Sequence, residues 1–316
     1  MNVQRYKYFP EVFDSSMLAA FKSCPQLFKK IYLHEWKPRE GANVNLIAGG
    51  AFAKGIEEAR RSFYEKGTDQ PTALAAGLQA LTIAYGDFEC PPDSPKSLER
   101  MLGALEYYIT NYPFTHQTAY PILLASQKRA IEANGAEPLP ILHPLTQQPL
   151  LYSWRADAIL AYSGSQYVTD EKTTTQLGSL WGRRWDLRSQ FIGYTNYARK
   201  IVPVAGVLVR GIAIKKTMYE VQEAICNFSQ NECDRWYVEL LKWISDIIRC
   251  WETDSWRYNF DHACEEYGGC AFKTVCKAEA DMDATPILQT FFQKRHWDPI
   301  TRTETNLETG EIVRQA

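Results

Sequence analysis

The sequence predicts an α/β fold in which a mixed β-sheet is flanked by helices, with a helical insertion near the N-terminus. Three observations support this prediction. Two runs of alternating polarity, 150–162 and 166–175, flank a turn at Gly164 and are typical of a β-hairpin. A continuous apolar run at 204–216 indicates a strand that is covered on both faces. Apolar residues recur at helical spacing through much of 48–111, and such helices pack in layers on a sheet.

The elements follow from these patterns and from the residues that interrupt them. Pro91, Pro92 and Pro113 end helices, and Asp186 can cap one. We expect, in chain order, a helix from Ser15 or Ser16 to about Trp36; helices near 48–66, 71–87 and 96–111; strands near 121–132, 150–162 and 166–175; a helix at 185–200; strands at 204–216 and 219–228; and a helix from Asn231 to about 254.

Composition is that of a globular chain with a substantial core, since 45% of its 316 residues are hydrophobic. We expect one domain over 1–277, with the helical insertion at about 58–115, a cysteine-rich loop at 261–277, and a polar tail at 278–316 that is mobile after Asp298. No apolar run approaches the roughly 18 residues that a membrane span needs, and no signal-peptide region precedes the first helix. Cysteines at metal-type spacing then favour a reducing cytoplasm and no membrane partner.

Charged residues concentrate in the predicted hairpin. Side chains alternate along a strand, so Asp170 and Lys172 share a face. If the turn centres on Gly164, Asp157 lies opposite either Asp170 or Glu171. Adjacent acids repel and are usually tolerated when a divalent cation lies between them, while a neighbouring lysine can hold a water or stabilise developing negative charge. The alternative is a solvated hairpin face with a chance Lys–Asp pair.

The local sequences Arg-Ala-Asp157 and Asp170-Glu-Lys-Thr resemble the core motif of the PD-(D/E)XK nucleases, and most of all their RecB-like branch. The resemblance implies a restriction-endonuclease-like mixed sheet and DNA cleavage that depends on Mg²⁺ or Mn²⁺. It implies that Asp157 and Asp170 are metal ligands and that Lys172 is the catalytic lysine. Glu171 is a weaker metal ligand, because a regular strand turns its side chain away and leaves its backbone carbonyl to reach the metal.

The helix that begins near residue 48 extends the resemblance. RecB-like nucleases carry Gly-x-x-x-His-x-x-x-Glu here, and Glu57 matches the final carboxylate when the motif starts at Gly49. The histidine position then holds Ala53, which implies reduced activity, a site built from carboxylates alone, or lost function. Starting instead at Gly50 puts Lys54 in the histidine position. We prefer the first register because it keeps the apolar pattern, and the alternative for Glu57 is an ordinary surface acid.

A further match follows the hairpin. Gln190 and Tyr194 are four residues apart and share one face of a helix. RecB-like nucleases have a Gln-x-x-x-Tyr helix at this point, whose two side chains line the active site. From the residues alone, a tyrosine ring can stack on a base, and it can equally be a core aromatic.

The cysteines form a second constellation, with Cys264, Cys270 and Cys276 evenly spaced and Cys24 far upstream as a candidate fourth ligand. Some RecB-like enzymes, including AddB-type helicase-nucleases and certain CRISPR spacer-acquisition nucleases, hold a 4Fe–4S cluster with one cysteine before the nuclease motifs and three after them. The resemblance therefore implies a structural 4Fe–4S cluster here. Zn²⁺, with His262 as a possible ligand, is the alternative metal, and disulfides are the third interpretation.

The formal net charge of −2 departs from the basic charge common among nucleic-acid binders. A nuclease can still bind DNA when its basic residues gather in a groove. The candidates for such a groove are Lys128-Arg129, Arg183-Arg184, Arg188 and Lys215-Lys216, with Trp181 and Trp185 placed to stack on unpaired bases.

Together these observations predict a metal-dependent DNA exonuclease acting in replication, recombination or repair. The sequence has no Gly-x-x-x-x-Gly-Lys-Ser/Thr motif, so we expect a separate helicase or recombination protein to unwind any duplex. Two other classes stay open: a catalytically weak nucleic-acid-binding relative, and a zinc-stabilised interaction protein.

Overall fold

A computed structural model describes residues 8–39, 43–116, 119–265 and 269–315. The strands are β1 Val12–Phe13, β2 Trp36–Pro38, β3 Ala119–Pro121, β4 Ile131–Leu142, β5 Pro149–Tyr162, β6 Ser165–Thr174, β7 Gly206–Ile214, β8 Tyr219–Asn227, β9 Phe292–Asp298, β10 Thr303–Asn306 and β11 Ile312–Gln315. The helices are α1 Ser15–Ser23, α2 Pro25–Phe28 with a π-helical turn at Lys29–Leu33, α3 Val44–Tyr64, α4 Gln70–Tyr85, α5 Leu98–Asn111, α6 Ser179–Arg183, α7 Ser189–Ala198, α8 Gln230–Thr253, α9 His262–Glu265, α10 Lys273–Ala278 and α11 Thr285–Phe291.

The chain forms two compact units, each assembled from separate stretches of sequence. The first comprises Met1–Gly41, Gly135–Trp154 and Val238–Ala316, and the second Ala42–Asn134 and Arg155–Tyr237. Across the parts that the structure describes, no helix has the length and apolar content to cross a membrane.

A mixed sheet forms the centre of the second unit. The end of β5 pairs antiparallel with β6, β6 pairs parallel with β7, and β7 pairs antiparallel with β8. The short β3 adds to the other side of β5 in antiparallel sense. Helix α7 lies in the connection between the parallel strands β6 and β7, as parallel neighbours require. The predicted α/β class, a mixed sheet flanked by helices, is confirmed.

Helices α3, α4 and α5 pack together on one face of this sheet. A Cβ at Gly77 would lie 2.7 Å from the carbonyl oxygen of Gly55, so the close approach of α3 and α4 requires glycine at this crossing. Fully buried Leu81 and Leu105 fill the space between the helices, and Ile212 on β7 joins them from the sheet. Burying each such side chain stabilises the fold by roughly 1.5–3 kcal/mol.

The opposite face of β7 carries helix α6. A Cβ at Gly211 would lie 2.4 Å from the ring of Trp181, so that indole packs directly on the strand backbone. Trp181 and Trp185 meet edge to face, with ring centres 5.6 Å apart, and are only 4% and 5% exposed. The prediction that these tryptophans stack on unpaired bases is wrong, because their rings are used to fix α6 to the sheet.

The first unit contains a four-stranded antiparallel sheet in the order β11-β10-β9-β2. Three of its strands lie in the predicted polar tail at 278–316, and two of them, β10 and β11, follow Asp298, where mobility was expected. Polar rather than apolar contacts hold these strands: Glu304 of β10 is buried and accepts a 2.8 Å hydrogen bond from Lys37 of β2. Short polar strands of this kind carry little apolar signal in the sequence.

Two other elements depart from the predicted boundaries. The predicted strand at 121–132 is split into β3 and the later β4, which contains Pro138 and Pro140, residues that seemed to argue against a strand. The helix expected from 15 to 36 breaks at Cys24, which is extended because Pro25 follows it. The break leaves Cys24 between α1 and α2.

Candidate active site and cysteine centre

The turn between β5 and β6 sets the register of the hairpin. Ser163 and Gly164 both have positive φ, at 48° and 79°, as a two-residue type I′ turn requires. The pairing then runs from Tyr162 opposite Ser165 to Ala158 opposite Thr169, where the paired register ends. Asp157, the next residue of β5, lies close to both alternatives that the sequence allowed: its Oδ2 accepts a 2.8 Å hydrogen bond from the Glu171 N–H, and the charges of Glu171 and Asp170 both raise its pKa.

Three of the predicted site residues converge on the face of the hairpin that helix α7 covers. Lys172 Nζ lies 2.6 Å from Asp170 Oδ1 and 6.0 Å from the centre of the Phe191 ring on α7. The charge of Asp157 raises the pKa of Lys172, so its carboxylate lies near this pair. The lysine side chain remains 33% exposed, whereas that of Asp170 is 5% exposed, so the ammonium lies on the solvent side of the pair.

The charges of these three side chains indicate a site that lacks a cation. Burial raises the pKa of Asp157 well above its ordinary value, and the charges of Glu171, Asp170 and Glu132 raise it further. Burial also raises the pKa of Asp170, although Lys172 opposes the shift. For Lys172, burial lowers the pKa, but Asp170 and Asp157 outweigh it, so the pKa is raised overall. Two crowded, buried acids with one lysine would be stabilised by a further cation.

Glu171 points to the opposite face, as strand alternation predicts. Arg60 of α3 forms an ion pair with it through both terminal nitrogens, and Tyr108 of α5 donates a 3.1 Å hydrogen bond to Oε1. Burial opposes ionisation of Glu171, but Arg60 outweighs it and lowers its pKa. The carboxylate therefore already has a counter-ion, although its charge is still the largest one that raises the pKa of Asp157. The backbone N–H of residue 171 also donates a 2.8 Å hydrogen bond to Asp157 Oδ2.

Glu57 lies on α3, where its carboxylate accepts hydrogen bonds from Lys54 at 2.7 Å and Arg61 at 3.1 Å. Burial raises its pKa, but these two cations outweigh burial and lower it overall. The charge of Glu57 raises the pKa of Glu132, whose own charge raises that of Asp157. The metal-ligand role of Glu57 stays a prediction.

Glu132 is an acid of this site that the sequence reasoning missed. It lies near the start of β4 with a positive φ of 52°, and Arg155 forms a 3.0 Å ion pair with it. Burial raises its pKa to about 7, with Arg155 opposing and Glu57 adding to the shift. The available signal was a lone glutamate between the apolar Ile131 and Ala133, at the end of a strand whose predicted position was wrong.

The glutamine and tyrosine of α7 are brought together as predicted by their spacing. Gln190 Nε2 donates a 2.7 Å hydrogen bond to the hydroxyl of Tyr194, whose side chain is buried. Arg188, just before α7, is exposed, and its charge acts on both Asp170 and Lys172. The start of α7 therefore lies beside the aspartate–lysine pair.

The aspartate pair has the donor chemistry of a magnesium or manganese site. Asp170 Oδ1 is buried and lies 2.6 Å from the Lys172 ammonium, so one of its two lone pairs is left for another ligand. Carboxylate oxygens with spare acceptor capacity are the ligands that hard divalent cations prefer. Within the described ranges, however, no three His, Cys, Asp or Glu side chains are arranged to hold a metal as they stand.

The cysteines of the predicted cluster belong to the first unit and influence one another. Burial raises the pKa of Cys270, and the charges of Cys24 and Cys264 add to this. Burial raises the pKa of Cys276 to about 11, with Lys30 opposing and Cys270 and Cys24 contributing. The fold therefore brings Cys24 into electrostatic reach of the C-terminal trio, and all eight cysteines are free thiols.

The loop that carries the trio is shaped by local contacts. The N–H of Cys270 donates to the carbonyl of Cys264 at 3.0 Å, and Gly269 before it has a φ of 99° that favours glycine. Buried Lys30 pairs with Glu279 at 2.5 Å, which places a positive charge near these thiols. The side chain of His262, the alternative zinc ligand, lies outside the described residues.

Comparisons with known proteins identify only distant structural similarity. No family profile matches the sequence, and no curated protein matches it. The solved structure of a protein named SSO0001 is 14% identical, with a TM-score of 0.30 over 76% of this chain and 89% of that one. A proposed exonuclease from Eubacterium rectale is 10% identical, with a TM-score of 0.45 over 80% of this chain and 88% of that one. Similarity this low says nothing about the reaction, so the reaction must be inferred from the side chains of the site.

Proposed function

We propose that this chain is a Mg²⁺- or Mn²⁺-dependent deoxyribonuclease of the RecB-like PD-(D/E)XK group and that it acts as an exonuclease. One observation carries the proposal. Lys172 lies 2.6 Å from Asp170, and the charge of Asp157 acts on both of them. Two neighbouring carboxylates beside a lysine suit phosphodiester hydrolysis, which needs a bound cation and a stabilised phosphate charge.

Each residue would have a distinct task. Asp157 and Asp170 would hold the divalent cation, which when bound supplies Lewis-acid activation of the phosphodiester and of water. Lys172 would stabilise negative charge that develops on the phosphate, because its ammonium is fixed by Asp170 and partly open to solvent. Gln190 and Tyr194 would line the site as a hydrogen-bonded pair.

Exposed arginines near α7 support DNA as the substrate. Arg188 acts electrostatically on Asp170 and Lys172, and Arg183 and Arg184 are exposed at the end of α6. Arginines at such positions attract phosphates even when the net charge of the whole chain is negative. Replication, recombination and repair each require nuclease activity of this kind, and a separate helicase or recombination protein would supply unwound DNA.

A 4Fe–4S cluster held by Cys24, Cys264, Cys270 and Cys276 is the second part of the proposal, with Zn²⁺ as the alternative. The mutual electrostatic effects of these thiols support a shared centre. Its role would be structural, since a centre of this kind contributes folding free energy directly.

A catalytically weak nucleic-acid-binding relative is the second candidate function. Ala53 occupies the position of the motif's usual histidine, and the Glu57 oxygens are already bound by Lys54 and Arg61. Both features reduce the number of groups ready to bind a cation.

The deciding experiment uses anaerobically purified protein and DNA labelled at either end, single- or double-stranded, with Mg²⁺, Mn²⁺ or EDTA. We expect metal-dependent release of nucleotides from ends, no cutting of circular single-stranded DNA, and near-complete loss in Asp157→Ala. Asp186→Ala, which removes an exposed acid outside the site, is the matched control and should retain activity. DNA binding without metal-dependent cleavage would favour the second candidate, and cleavage that persists in Asp157→Ala would refute the assigned site.

A further inference from the structure

The helical layer contacts strand β6 on the face opposite the candidate site. Residues 170 and 172 of β6 project toward the candidate site, so residues 171 and 173 project toward helices α3 and α5. Arg60 of α3 contacts both carboxylate oxygens of Glu171, and Tyr108 of α5 donates to one of them. The side chains of Arg60 and Glu171 are 3% and 2% exposed, so this pair is fully enclosed.

The same residue touches the candidate site through its backbone. The N–H of Glu171 donates a 2.8 Å hydrogen bond to Oδ2 of Asp157. Residue 171 thus has its side chain fixed by the helices and its amide hydrogen fixed on the aspartate. A displacement of its carboxylate would move the amide and, with it, the orientation of Asp157 relative to Asp170.

A second anchor repeats the arrangement two residues along the strand. Lys96 Nζ lies 3.3 Å from the hydroxyl of Thr173, and Lys96 is 2% exposed. A Cβ at Gly49 of α3 would lie 3.7 Å from the same hydroxyl, so the helix backbone packs closely there. Basic side chains therefore contact residues 171 and 173, which alternate with Asp170 and Lys172.

Stability alone is a poor reason for an enclosed ion pair. Removing two charges from water costs about as much as their attraction returns, and well-packed neutral residues often serve as well. Breaking such a pair by removing one partner is costly, so the pair is better understood as a device that fixes one geometry. Removing a group that hydrogen-bonds to a metal ligand and fixes its orientation typically lowers metal affinity or activity by about 10–100-fold.

We propose that Arg60 is a positioning residue for the nuclease site, acting through Glu171 on Asp157. This inference rests on the proposed function. Glu171 then serves the site as the link between helix α3 and the aspartate pair, and its side chain is not a metal ligand. Metal binding and turnover should depend on Arg60, while DNA binding should not.

The test neutralises the pair without leaving a lone buried charge. In Arg60→Met/Glu171→Gln both charges disappear, side-chain length is kept, and Tyr108 retains an acceptor. We expect a folded protein whose Mn²⁺ affinity, measured by electron paramagnetic resonance of free Mn²⁺, falls at least about tenfold. We expect kcat to fall by about 10–100-fold, with KM for DNA unchanged. Tyr108→Phe, which removes one hydrogen bond, should shift Mn²⁺ affinity in the same direction by a smaller factor.

The control is Lys242→Met/Glu239→Gln, which neutralises an exposed ion pair, 2.7 Å long, on helix α8. It should leave Mn²⁺ affinity and kcat close to those of the unaltered protein. If Arg60→Met/Glu171→Gln lowers only the melting temperature, with Mn²⁺ affinity and kcat unchanged, the inference is refuted. If that variant does not fold, unchanged Mn²⁺ affinity in Tyr108→Phe refutes it instead. Failure of the unaltered protein to cleave DNA would refute the proposed function. The Mn²⁺ affinities of the variants and the unaltered protein would still test the role of Arg60.

Discussion

Lys172 Nζ and Asp170 Oδ1 lie 2.6 Å apart, and the oxygen is buried. The ammonium balances the charge of Asp170, and a carboxylate oxygen keeps a second lone pair for another ligand. Burial raises the pKa of nearby Asp157, and the charges of Glu171 and Asp170 raise it further. The three side chains behave as one unit.

The first prediction follows because Asp157, Asp170 and Lys172 act together. Asp157→Ala, Asp170→Ala and Lys172→Ala should each nearly abolish metal-dependent cleavage of DNA while circular dichroism shows an intact fold. Because the residues share one cation and one phosphate, the double variant Asp157→Ala/Lys172→Ala should be scarcely worse than either single variant. Rate losses that multiply in the double variant would show that the residues act independently.

The second prediction concerns the departure at Ala53. Ala53 lies on α3, one turn before Glu57, and the motif's usual histidine would add a ligand or phosphate contact there. Ala53→His should therefore lower the Mn²⁺ concentration that gives half the maximal rate of cleavage. Asn45→His, at an exposed position near the start of the same helix, is a suitable comparison. An unchanged or raised Mn²⁺ requirement in Ala53→His would mean that this position does not face the metal.

The local parts of the site could be predicted because they depend on short-range rules. Strand alternation puts Asp170 and Lys172 on one face, and four-residue spacing puts Gln190 beside Tyr194. The register of the hairpin could not be chosen between two alternatives, since a slip of one residue changes the face of every side chain. The positive φ at both Ser163 and Gly164 resolved it.

The partners from distant parts of the chain could not be predicted. Arg60 and Glu171 are 111 residues apart in sequence, and neither periodicity nor a motif connects them. Glu132 was missed because its strand was placed too early, and Pro138 and Pro140 made the true strand resemble a loop. Choices of this kind depend on packing between layers, which a single sequence does not encode locally.

The third prediction uses the buried amine of Lys96. Burial lowers its pKa from 10.5 to about 8, so the folded state loses the proton before the unfolded state does as pH rises. Stability should therefore increase between about pH 8 and pH 10.5, and below pH 8 the buried charge should be a constant cost of at most about 3 kcal/mol. Lys96→Met should be more stable than the unaltered protein at pH 7 and should lack this rise.

Urea unfolding at pH 7 and pH 9.5 would measure the effect, with the exposed Lys216→Met as the control. The difference in unfolding free energy between the two pH values should shrink in Lys96→Met and stay unchanged in Lys216→Met. Equal pH dependence in all three proteins would show that Lys96 keeps its ordinary pKa.

The last prediction separates the cysteine centre from the nuclease chemistry. Cys24 lies between α1 and α2, and its charge acts on Cys270 and Cys276, so a shared cluster would tie the first helices to the C-terminal loop. Such a centre contributes folding free energy, so losing one ligand should reduce stability rather than act on the phosphodiester. Cys24→Ser and Cys276→Ser should be poorly soluble, colourless and depleted of iron.

Cys90→Ser is the matched control, because Cys90 belongs to the second unit, donates to the nearby carbonyls of Pro91 and Ser94, and should behave like the unaltered protein when replaced. The measurements are iron and zinc content and visible absorbance after anaerobic purification. Full iron content in Cys24→Ser would remove Cys24 from the centre and make Cys250 or His262 the next ligand to test. Zinc without iron in the unaltered protein would overturn the cluster, while the nuclease site, built from Asp157, Asp170 and Lys172 in the other unit, would be unaffected.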